Sequence, residues 1–188
     1  MTRFLLASAA IAGALALPGC PIPQPLAEVS RSADGGAVST PTILPDSALP
    51  ADTVVLVRTD CNPAAQFTLS ASLEDVDTEE SVEARWFRDY RADNTGLLSD
   101  DDVPAAADPS DPLRVIPPLV FRPYGFDASR TVGQLHVVEV VVSNRFLALS
   151  DPTQPFQRAA EAPFVTQSHR WVFQYVDPSA PGARCSFP

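Results

Sequence analysis

The run Gln66 to Asp75, "QFTLSASLED", constrains the fold more than any other stretch: Phe67, Leu69, Ala71 and Leu73 alternate with Thr68, Ser70, Ser72 and Glu74. A period of two sends successive side chains to opposite faces of an extended strand, so one face is buried and the other wet. Similar runs recur. "TVVLVRT" from Thr53 is rich in β-branched residues, and "VEARWFRDY" sets Val82, Ala84 and Trp86 against Glu83 and Arg85. "LRVIPPLVFRPY" is broken by Pro117 and Pro118, which belong at an edge or a bend. "QLHVVEVVVSN" is the strongest strand signal, and "HRWVFQYVD" places Trp171, Phe173 and Tyr175 on one face. Six or seven short strands with turn-rich joints and no helical periodicity predict an all-β fold, a single antiparallel β-sandwich.

Two long connections interrupt the strands. "RADNTGLLSDDDVPAAADPSDP" is acidic and proline-bearing, and "FLALSDPTQPFQRAAEAPFVTQS" has room for one helical turn at Gln157 to Ala160. Loops longer than about 12 to 15 residues in a compact domain are usually functional or mobile.

The N-terminus is organised differently. Arg3 is followed by an uncharged run from Phe4 to Leu17 that ends at Pro18 and Gly19. About 20 apolar residues are needed to span a bilayer, so this run predicts an export signal over residues 1–19. Leu17-Pro18-Gly19-Cys20 resembles the lipobox of bacterial lipoproteins. The resemblance implies lipidation of the Cys20 thiol and a mature chain beginning there, held at a membrane by its N-terminal lipid. Pro21, in place of an inner-membrane retention residue, implies the outer membrane of a Gram-negative-type envelope, facing either the periplasm or the surface. The alternative is a secreted protein in which Cys20 is incidental. Residues 20–52 mix proline, serine, glycine and alanine without periodicity and read as a disordered tether, leaving 53–188 as the domain. The other reading is that "STPTILPDSALP" packs on the domain as an edge segment.

With Cys20 assigned to lipid, Cys61 and Cys185 remain, and an exported compartment is oxidising. They are expected to form a disulfide; the alternative is two buried thiols.

The segment Phe67 to Tyr90, "FTLSASLEDVDTEESVEARWFRDY", resembles bacterial extracellular immunoglobulin-like modules of the PKD and cadherin-like groups, with an Asp-x-Asp turn at Asp75 and Asp77 and a core tryptophan at Trp86. "GQLHVVEVVVSN" resembles their penultimate strand. The Trp-Asp-Phe-Gly-Asp-Gly segment of PKD modules is absent, since Phe87-Arg88-Asp89-Tyr90 follows Trp86. The resemblance implies an immunoglobulin-like sandwich of about seven strands, used for adhesion, spacing or display.

The formal net charge is −10, and all 13 basic residues are arginine. An acidic chain without a basic cluster is repelled by nucleic acid, which excludes that class of partner. Asp75, Asp77, Glu79 and Glu80, complemented by Asp100, Asp101 and Asp102 on the next connection, have the oxygen chemistry of a calcium site of the kind that cadherin modules build between turns. The competing reading is two solvated acidic loops. His136 and His169 lack partners at zinc-ligand spacing, and no Gly-x-Ser-x-Gly elbow, phosphate loop or His-Glu-x-x-His motif is present. Trp86 reads as core against a stacking role, and the Trp171, Phe173 and Tyr175 row as core against a partner surface. The sequence therefore predicts a non-enzymatic envelope lipoprotein that binds or scaffolds an envelope protein or glycan through its long loops. The alternatives are an adhesion module for carbohydrate or calcium, and an envelope hydrolase with an unrecognised site.

Overall fold

In β3, Phe67–Glu74, the alternation becomes two faces: Phe67, Leu69, Ala71 and Leu73 are buried, while the residues between them stay in contact with water. The computed structural model describes residues 39–91, 96–125, 130–149 and 157–187. The described residues form nine strands: β1 Thr42–Leu49, β2 Val54–Arg58, β3, β4 Val82–Arg88, β5 Leu97–Val103, β6 Leu113–Val115, β7 Leu119–Phe121, β8 Leu135–Ser143 and β9 Gln167–Val176. A 3-10 turn at Pro123–Gly125 is their one helical element. The fold is all-β: 48% of the described residues are strand and 2% helical.

Two sheets carry the strands. In the first, β1 and β6 flank β3, which also pairs with β7; in the second the order is β2, β9, β8, β4, β5. Their facing sides share one apolar cluster. Trp86 of β4 stacks on Trp171 of β9 with centroids 5.7 Å apart, and Phe173 meets Phe67 at 5.4 Å and Phe121 at 4.7 Å. Both tryptophans are core residues, and β9 lies between β2 and β8 rather than at an edge, so its aromatic row closes the core. Replacing one of these aromatics with alanine costs about 3–5 kcal/mol.

Four sequence expectations are corrected. The sandwich is not wholly antiparallel: after the cis Leu49–Pro50 peptide the chain leaves the first sheet, and β2 pairs in parallel with β9, Val54 to Arg58 lying opposite Val172 to Val176. The folded region includes β1, inside the stretch read as tether. It is an edge strand of its sheet, and its Ser47 Oγ accepts the Ser72 N–H at 2.8 Å. Pro45 and Asp46 break its alternation, which an edge strand tolerates because one side of its ladder is unpaired. The acidic connection contains β5, an edge strand on β4 whose Asp100, Asp101 and Asp102 lie opposite Arg85, Ala84 and Glu83; charge along an edge deters further strand pairing. Residues 157 to 160 form no helical turn. Gln157 has a φ of 62° and Ala160 bridges to Phe146.

Cys61 and Cys185 form a disulfide, with Cα atoms 5.5 Å apart and a separation of 124 positions in sequence.

Candidate functional site

The second sheet presents an outer face that the period-two reading assigns to water, and much of it is not wet. On β8, Val138, Val140 and Val142 point to the core, so Val137, Glu139, Val141 and Ser143 point outward, yet Glu139 is only 3% exposed. On β4 the outward residues are Glu83, Arg85 and Phe87, and both Arg85 and Phe87 are buried.

The cover is the β8–β9 connection. Its two described stems lie side by side over the sheet, with Leu147 N–H donating to Ala159 O at 2.9 Å and Glu161 N–H to Arg145 O at 3.1 Å. Phe146 joins Phe87 and Val141 in a small apolar cluster, with Tyr90 and Leu97 packed beside it. Arg85 fastens the loop. Its Nη1 donates to the carbonyls of Leu147 (3.3 Å) and Gln157 (2.9 Å), its Nε bonds Asp100 at 3.0 Å, and its guanidinium lies 4.4 Å from the Phe146 ring centroid. Each loop carbonyl thus receives a charge-assisted bond that water would otherwise supply.

Beside this cluster is a cleft of about 370 Å³. Its floor is Val137 and Glu139; Arg91, Arg158 and Arg170 stand around it with Asp89 and Tyr90. Arg170 lies directly across the ladder from Glu139 and bonds its Oε1 through Nε at 2.8 Å, while Arg158 reaches the same oxygen at 2.6 Å. The Arg158 guanidinium also lies over the Tyr90 ring at 5.0 Å, and Tyr90 meets Phe87 edge-on at 5.3 Å. Burial raises the Tyr90 phenol above its ordinary pKa, and the nearby Arg158 charge opposes the shift.

At one end of the cleft Asp89, with φ 48°, fixes the start of β8. It accepts the Val137 N–H through Oδ1 at 2.8 Å and lies 2.6 Å from His136 Nδ1 through Oδ2. Burial disfavours its charge, but the bonds from His136 and Val137, with the His136 and Arg88 charges beside it, outweigh burial and hold the carboxyl below the usual range. His136 also lies edge-on to Tyr175 at 5.9 Å. His169 is elsewhere on β9, packed edge-on against Trp171 at 4.5 Å.

The acidic residues singled out in the sequence are placed as follows. Asp75 is buried. Its Oδ1 accepts the Asp77 N–H at 3.1 Å, and Oδ2 accepts from Asn144 at 3.2 Å and lies 3.6 Å from Arg114. Arg114 also donates to the carbonyls of Asp77 and Glu80, so the turn closes around a guanidinium. Asp77 caps the Glu79 N–H at 3.3 Å. Asp101 and Asp102 are on β5, where Asp101 accepts from Ser99 Oγ at 2.5 Å. Among the described residues no three of these carboxylates bring ligand oxygens within 4.8 Å of one another; only Asp60, Cys61 and Cys185 converge that closely, and both of those sulfurs are in the disulfide. Cys20 lies outside the described residues.

The cleft residues Glu139, Arg158, Arg170, Arg91 and Tyr90 were not singled out in the sequence. One signal was there: "VVEVVV" sets a lone carboxylate in a run otherwise apolar on both faces, which calls for a cationic partner or cover. A larger groove of about 560 Å³ runs past Pro50, Thr68 and Phe187, but its one cation, Arg184, is 3.6 Å from its one carboxylate, Asp52, leaving no net charge.

No protein-family model matches the sequence, and no curated protein or solved structure matches it significantly.

Proposed function

We propose that the chain is an envelope lipoprotein, anchored through Cys20, whose domain is a non-enzymatic binding module of immunoglobulin-like type. The observation that carries this reading is the β8–β9 connection held across the outer face of the five-stranded sheet, with the arginine-lined cleft beside it. A loop fixed by buried cation–carbonyl bonds and backed by a rigid sheet offers a preformed surface, which lowers the ordering cost of binding. The strand order supports the immunoglobulin-like type: β1 and β2 divide between the two sheets, and β2 joins the second in parallel. The non-enzymatic reading is supported by the histidines, one packed against Asp89 and the other against Trp171. Of the alternatives, carbohydrate adhesion draws on the same cleft.

The test is affinity capture from detergent-solubilised envelope, with the Cys20→Ser chain as the unlipidated control. The expected outcome is that Cys20→Ser leaves the membrane fraction and that both forms retain the same envelope component. Equal membrane retention by Cys20→Ser would overturn the anchor, and capture of nothing by either form would overturn the binding module.

A further inference from the structure

The cleft is an unusual place on this molecule. The chain carries a net charge of −10, yet the cleft gathers three guanidiniums against two carboxylates, for a local charge of +1. Its donors are already positioned. Glu139 holds Arg158 and Arg170 through one oxygen, and the Tyr90 ring backs Arg158. Among the described residues the bonds of Arg170 run from Nε alone, and its side chain is 59% exposed, which leaves its two terminal nitrogens as a donor pair of the geometry that takes a carboxylate. Arg91 at the rim adds a second guanidinium. Because both arginines close on Oε1, Glu139 keeps Oε2 as an acceptor at the floor, where a donor from a ligand would satisfy it.

Charge and donor count together select the ligand. A local charge of +1 matches one carboxylate, whereas a dianion would face the Glu139 and Asp89 charges without full compensation. An acceptor at the floor is matched by a neutral donor on the ligand such as a hydroxyl. The volume is at the small end of the roughly 300–1,000 Å³ typical of ligand pockets, which suits a sugar-sized group.

We infer that the cleft binds uronic acids or closely similar polyhydroxy carboxylates, with the ligand carboxylate on Arg170 and Arg91 and a ring hydroxyl donating to Glu139 Oε2. The assignment rests on the binding-module reading above and gives that module its ligand class.

Ligand-observed NMR on the full chain, purified in detergent, provides the test. Galacturonate and glucuronate are the probes; galactose, succinate and inorganic sulfate are the comparisons. At least one uronate is expected to bind about tenfold tighter than galactose or succinate, a difference of about 1.4 kcal/mol. Arg170→Gln is expected to weaken that binding about tenfold in a chain that still folds, because Arg158 continues to hold Glu139, while Arg184→Gln in the other groove leaves it intact. Galactose binding equally well would remove the carboxylate from the inference. Succinate or sulfate binding equally well would reduce the cleft to a simple anion site and overturn the sugar-acid class. Uronate binding that survives Arg170→Gln would place the site elsewhere. If no uronate binds at millimolar concentration, the inference fails, and envelope capture decides the wider reading: a captured component leaves the binding module standing, and none brings both down.

Discussion

His169 sits edge-on to Trp171, and burial lowers its pKa below the ordinary imidazole value. The folded chain therefore favours the neutral ring, while the unfolded chain takes up a proton near pH ~6.5. A base with a depressed folded pKa contributes stability that is complete above the unfolded value and is lost as pH falls toward the folded one. Asp89 acts in the same direction at lower pH: its folded carboxyl lies below the unfolded value of about 3.9, so its contribution is present above that value and lost as pH falls through the folded one. The melting temperature should thus decline in separate steps on acidification. His169→Gln is expected to reduce the slope between about pH 7 and pH 5 and to leave the lower step in place. An unchanged slope across the upper interval would show that the ring titrates alike in both states. The acidic turn makes a related point. Its carboxylate and carbonyls do converge on a cation, and that cation is the Arg114 guanidinium, supplied from β6, 34 and 37 positions along the chain from the carbonyls it meets.

Among the elements, the β8–β9 connection depends most on a single side chain. Among the described residues Arg85 alone reaches from β4 to two of the loop's carbonyls, and hydrogen bonds to a charged group contribute about 1.5–3 kcal/mol. Arg85→Ala should therefore lower stability by about that much and, more tellingly, speed hydrogen exchange at the Leu147 and Glu161 amides, whose bonds close the loop. The Val140 amide, deep in β8, should change only with global stability. If all of these amides accelerate together, the loop and the sheet open as one unit, and Arg85 does not act as a local fastener. The same elements show what the sequence made legible. β3 and β9 were readable because each buries one regular face, so a period of two survives in their residues, and β8 because it is a run of β-branched valines. β1 and β5 were not: an edge strand pairs on one side only, so Pro45 in β1 and three successive aspartates in β5 cost it little. Arg85 was set on a wet face because period two gives the side of the sheet and not what covers it; the cover comes from residues as far along the chain as Gln157. The Cys61–Cys185 pairing was legible because, with Cys20 set apart, only one pairing remains.

For the whole molecule, the parallel pairing of β2 with β9 and the disulfide do related work. β2 follows β1 directly and β9 is the last strand, so their pairing brings the start of the described chain to its end. The C-terminal segment continues the contact: Arg184 N–H donates to Leu56 O at 3.0 Å, Arg58 N–H donates to Arg184 O at 3.3 Å, and Phe187 packs edge-on to Phe67 at 5.1 Å. The disulfide closes a loop spanning 124 positions, for which the chain-entropy model gives about 4 to 5 kcal/mol, acting through the unfolded state. Replacing both cysteines, Cys61→Ser with Cys185→Ser, should remove about that much and lower the melting temperature by roughly 10 °C or more, at about 2–4 °C per kcal/mol for a chain of this size. The loss should be global, because a constraint on the unfolded chain affects every region that opens only by complete unfolding. Hydrogen exchange separates this from a local effect. If only the amides joining β2, β9 and the C-terminal segment accelerate, such as Val172 N–H on Thr53 O and Arg184 N–H on Leu56 O, the bond acts as a clip on the native edge. If the slowest core amides of β3 and β8 accelerate by the same factor, it acts on the unfolded ensemble, and the parallel strand pair holds the two ends together without it.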